Sequence, residues 1–97
     1  MGLKHGREYE HILHDLTAAV AQIHDSYLFL EMEEDEWHCL SRAEQLEMNE
    51  ALAEDLFYAL GSESTIVVGS GIVIHDKEQH RIHFLIGDDE LNVVPLI

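Results

Sequence analysis

Three histidines fall within the stretch IHDKEQHRIHF, at His75, His80 and His83, and imidazoles so closely spaced are the first candidates for metal ligation or acid–base chemistry. A zinc site needs three or four converging ligands, and no cysteine pair or acidic ligand stands at the usual spacing from them. If Ile74 pairs with Ile82 and Ile72 with Phe84 on a hairpin, one face carries Ile72, Ile74, Ile82, Phe84 and Ile86. The other face then carries Val73, His75, Arg81, His83 and Leu85. His75 and His83 become diagonal neighbours within reach of one another, and His80 sits in the turn. Two converging ligands do not complete a zinc site, so His75 and His83 are weak metal candidates and read as solvated or interface histidines; no metal or cofactor is expected.

Other spacings suggest chemistry and lack a partner for it. Glu8-x-x-His11 and His11-x-x-His14 place acid and imidazole on one helical face, as in di-iron bundles, but the second helix has no histidine to form the matching half. Trp37-His38-Cys39 sets a thiol beside an imidazole with no third group to orient them. Cys39 reads as a small apolar residue covering the core with Trp37 and Leu40. The Gly69-Ser70-Gly71 stretch lacks the lysine and following helix of a phosphate-binding loop. Carboxylates are plentiful, but acid–base catalysis needs two in different environments, and an exposed run keeps them alike. No enzyme class gains support from these residues.

The carboxylates carry a different message. The chain has 20 Asp and Glu against 5 Lys and Arg, a net charge of −15. Residues 31–63 concentrate it, with 11 acids against Arg42 alone, a local charge of −10. A surface of that kind repels phosphate backbones, which disfavours direct nucleic-acid binding, and fits a basic protein partner. A halophilic or merely solubilising surface has the same composition.

The elements that must hold these groups follow from periodicity. Apolar residues at Tyr9, Leu13, Leu16, Val20, Ile23, Tyr27 and Leu30, with Ile12 beside them, alternate spacings of 4 and 3 and predict a helix over 7–30. Tyr27 to Met32 also reads as a short strand. Glu33 to Glu36 is a charge run expected to be a solvated connection. Ser41 and Glu44 form a capping-box pattern that starts a second helix at Arg42. Leu46, Leu52, Ala53, Leu56, Phe57 and Leu60 are expected on its buried side, with Gly61 as a left-handed cap. From Ser64 on, β-branched runs broken by turn residues predict an antiparallel meander. Gly69 to Gly71 is a hairpin turn or a bulge, and Pro95 belongs on an edge strand.

The expected fold is therefore α+β, two antiparallel helices on one face of a three- or four-stranded antiparallel sheet in the order ααβββ(β). The 97 residues form a single domain with a tail at 1–6, a helical pair at 7–61 and a meander at 64–97. No stretch suits a membrane span or a signal peptide, and one cysteine agrees with a cytoplasmic setting. The leading functional expectation is a non-enzymatic interaction or regulatory protein. It would bind a basic partner through Glu33, Glu34, Asp35, Glu36, Glu44, Glu47, Glu50, Glu54 and Asp55. A histidine-based metal-binding protein or hydrolase is the second reading, and a structural homodimer solubilised by its acidity the third. With the register above, Val73, Leu85, Val94 and Leu96 form an apolar patch on the uncovered sheet face, the expected dimer interface.

Overall fold

The computed structural model describes Leu3 and residues 5–97; Met1, Gly2 and Lys4 of the expected tail lie outside the described residues. The fold is α+β. Helix α1 (Tyr9–Ala21), a 3-10 segment (Ser26–Leu30), α2 (Glu34–His38) and α3 (Arg42–Ala59) precede the strands β1 (Thr65–Val68), β2 (Gly71–Asp76), β3 (Arg81–Ile86) and β4 (Asp89–Pro95). The four strands form one antiparallel meander in sequence order, and α1 and α3 pack together and on the sheet. The core between the layers joins Ile12, Leu16 and Val20 from α1, Leu52 and Leu56 from α3, and Val68, Val73, Ile82 and Phe84 from the sheet. Leu3 is buried in it as well.

The long first helix is interrupted. α1 ends at Ala21, and the apolar stripe continues through Ile23 into the 3-10 segment, which closes at Glu31 in a left-handed conformation (φ 58°). A 3-10 turn eclipses residues three apart, so Tyr27 stays buried without the chain remaining α-helical. Tyr27 to Leu30 is thus neither the helix end nor the strand expected for it. Asp25 accounts for the bend: its carboxylate leaves the helix line to accept the Ser70 backbone N–H (3.0 Å) and hydroxyl (2.9 Å), tying the first hairpin turn to the helical layer.

The charge run is also corrected, since Glu34 to Glu36 form the first turn of α2. Carboxylates there face the positive end of the helix dipole, which offsets their mutual repulsion. The Glu33 N–H donates to Glu36 Oε1 (3.2 Å), and Trp37 is buried in a stacked contact with Tyr27, centroids 6.0 Å apart. α3 starts as the capping box requires, with Glu44 N–H on Ser41 Oγ (3.1 Å) and Ser41 N–H on Glu44 Oε1 (2.9 Å). Gly61 follows its end without a left-handed φ; among the described residues the glycines with positive φ are Gly69 and Gly87. The helix runs out instead through turns in which Gly61 N–H donates to the Tyr58 carbonyl and Ser62 N–H to that of Ala59.

Gly69 and Ser70 form a two-residue hairpin turn between Val68 and Gly71. Pro95 ends β4, an edge strand, where its missing N–H costs no ladder bond. An irregularity opposite Phe84 and Leu85 inserts Leu91 as an extra residue of β4.

The β2–β3 register is one residue away from that expected. Val73 pairs with Phe84, Ile74 with His83, His75 with Ile82 and Asp76 with Arg81. The turn decides it: Asp76 Oδ1 accepts the N–H groups of Glu78 and Gln79 (both 3.1 Å), and His80 takes φ 55°, closing a loop of Lys77 to His80. A one-residue slip exchanges the faces of a strand. Val73, His75, Ile82 and Phe84 therefore face the helices, and Ile72, Ile74, His83 and Leu85 face outward.

Candidate functional site

The acidic surface is built by α2 and α3. All nine expected carboxylates, Glu33, Glu34, Asp35, Glu36, Glu44, Glu47, Glu50, Glu54 and Asp55, are exposed. At 100° per residue, those of α3 sweep an arc of roughly 140°, opposite the buried Leu52, Ala53, Leu56 and Phe57. Gln45 Nε2 donates to the Trp37 carbonyl (3.0 Å), which fixes the end of α2 against the first turn of α3. Glu44 is spent partly on the cap: the Ser41 backbone N–H holds its carboxyl below the usual range. Among the described residues only Glu34 of the nine has a basic partner, His38 at 3.6 Å. The others keep their charge toward solvent, where nothing local neutralises it.

Two large apolar side chains interrupt this surface. Tyr58 is 54 % exposed and lies within the arc, and Leu46 is 53 % exposed at its margin. Leu46 was expected in the core, but it is exposed and Asn49 is buried. Leu46 instead closes one side of a shallow groove of about 380 Å³ between α1 and α3, with Leu13, Thr17, Ala18 and Ala21 on its floor and Glu10, His14 and Glu50 at its rim. The small residues Thr17, Ala18 and Ala21 of α1, beside Leu13 of its apolar stripe, are the sequence signal for that groove. At the other end of the helix pair, Tyr9 and Tyr58 both pack edge-on to Phe57 (5.0 and 5.8 Å).

The histidines do not converge. His75 faces the helical layer, where its Nδ1 atom is buried without a hydrogen-bond partner. Burial of the ring, with Lys77 and His80 adding to it, pushes its pKa down against the opposing pull of Asp76 and the Leu60 carbonyl. His83 is on the outer face, between Glu90 (Nδ1 to Oε1, 3.1 Å) and Asp76 (Nε2 to Oδ2, 3.6 Å). The two carboxylates lie on opposite nitrogens of the ring, so they cannot share one metal ion with it. Among the described residues no group of three or more His, Cys, Asp or Glu side chains is arranged to hold a metal. His80 is exposed in the turn, and Glu8, His11 and His14 are exposed on α1. Cys39 is exposed rather than packed with Trp37, because it caps the short α2 at its far end.

The expected dimer patch is divided by the same register. Val73, Val94 and Leu96 are fully buried beneath the helices, and of the four only Leu85 faces outward. It pairs with Ile72 and Glu90, and the apolar residues that share its face are Val67, Ile72, Ile74 and Val93.

Among the described residues, no helix is long and apolar enough to cross a membrane. Comparisons with protein-family models, with curated proteins and with solved structures found no match to this chain.

Proposed function

We propose that this protein is a small interaction or regulatory protein that engages a basic protein partner through the outer surface of α3 and the adjoining α2. One observation carries the reading: a carboxylate arc without cationic neighbours among the described residues, set around the exposed Tyr58 with the exposed Leu46 beside it. Uncompensated charge steers an oppositely charged partner and sets the association rate. The exposed Tyr58 within it and Leu46 beside it supply the apolar contact that holds a complex once formed. Partner residues rich in Lys and Arg complement Glu47, Glu50, Glu54 and Asp55.

The test takes a partner captured on the immobilised chain and measures its association rate at low and moderate salt. Exchanging Glu47, Glu50 and Glu54 together for Gln removes three charges while leaving helix propensity nearly unchanged. The expected result is a rate that falls with salt, and a triple variant that is slower and less salt-sensitive. A rate indifferent to both would leave the acidic arc as a solubility device.

A further inference from the structure

The outer face of the sheet has no helix on it. Its register places Val67, Ile72, Leu85 and Glu90 in one cross-strand row and Thr65, Ile74, His83 and Val93 in the next. Val67 is 64 % exposed and the other apolar members are half-buried by one another.

The charge on this face differs from that of the molecule. Asp76 and Glu90 flank His83, and Arg81 pairs across from Asp76, so with histidine neutral the face sets one cation against two carboxylates on a chain of −15. Two copies of such a chain repel through most of their surface. They can approach through a face that carries little net charge and whose centre is apolar. Sheets packed face to face sit about 10 Å apart, and the acidic arc of α3 points away from the sheet. The two arcs would then be separated by both sheets and both cores, beyond the screening length of about 8 Å at physiological ionic strength. The β4 edge is blunted by Pro95 and by the extra residue Leu91, which disfavours pairing along that strand.

We infer that the outer sheet face, centred on Ile72, Ile74 and Leu85, binds a second copy of this chain in a two-fold symmetric contact. The contact is isologous, each face meeting its own copy. It leaves the α2–α3 surface free on both outer sides, so the dimer presents two acidic arcs, and it stands whether or not those arcs bind a basic partner.

Light scattering of the full chain from about 1 to 100 micromolar is expected to give a mass rising to twice 11.1 kDa. Rising salt should strengthen the dimer by screening like charges. Leu85→Glu should hold it at the single-chain mass, while Leu46→Glu on the helical side leaves the dimer intact. Should Leu85→Glu lose its circular dichroism, Val67→Glu, at an exposed position of β1, takes its place. A single-chain mass across the whole range would overturn the inference. So would loss of the dimer in Leu46→Glu but not in the sheet variants, or a dimer that dissociates as salt rises.

Discussion

The inner and outer faces of the sheet both draw on Ile and Val with one histidine each, yet they live in different physical surroundings. Inside, Val68, Val73, Ile82 and Phe84 are fully buried against α1 and α3, and burial of the His75 ring lowers its pKa. Outside, Val67, Ile72, Ile74, Leu85 and Val93 rest only on each other, and His83 has a carboxylate at each nitrogen. Apolar content therefore does not identify the core here. What identifies it is the face on which a second layer closes, because close packing adds a cavity cost to any loss of side-chain volume.

The adjacent pair Phe84 and Leu85 offers the sharpest way to break this contrast. Phe84→Ala should cost about 4 kcal/mol, as large-to-small changes in a packed core do. Leu85→Ala should cost about 1 kcal/mol or less in protein dilute enough to be monomeric. Urea denaturation of both variants at one concentration measures the difference, and equal losses would mean that the outer face is also covered in the monomer.

The turns repeat the contrast at the next scale. Gly69 and Gly87 both hold φ near 60°, which strains any residue with a Cβ. A Cβ at Gly87 meets nothing within 4 Å, whereas at Gly69 it would collide with the Asp25 carboxylate and backbone. Gly87→Ala is expected to lower stability by about 1 kcal/mol, and Gly69→Ala by roughly 3, strain and collision together. Thermal melts of the two variants check the order.

The smallest expected effect is the pH dependence set by His75. In the unfolded chain its imidazole takes a proton near the ordinary value of about 6.5; in the fold, burial delays this to lower pH. Between those points the unfolded state binds more protons, so stability is complete above the ordinary value and declines as pH falls through the window. His75→Phe should flatten that part of the profile in urea midpoints taken at successive pH values. Asp76 adds a decline in the same direction only in the acid range, where its carboxylate, held down by the Gln79 and Glu78 N–H groups, finally protonates.

Short-range physics was legible from the residues alone. The Ser41–Glu44 cap, the edge position of Pro95, the meander and the exposed carboxylates of α3 each depend on neighbours a few positions away or on solvent, whereas the residues left Gly69 to Gly71 open between a hairpin turn and a bulge until the pairing of Val68 with Gly71 fixed the turn. The break after Ala21, the buried ring of His75 and the exposure of Leu46 were not legible. β2 reads Ile72-Val73-Ile74, apolar on both faces, so alternation could not choose between registers one residue apart. The choice fell to the Asp76 turn, whose hydrogen bonds set Asp76 opposite Arg81, and to the helical layer, which packs Val73 and Phe84. Likewise Asp25 draws the chain out of α1 only because Ser70 lies beside it in the folded sheet. Local sequence determined the elements and their ends; tertiary contact decided which side of each element meets the core, because that depends on partners dozens of residues away.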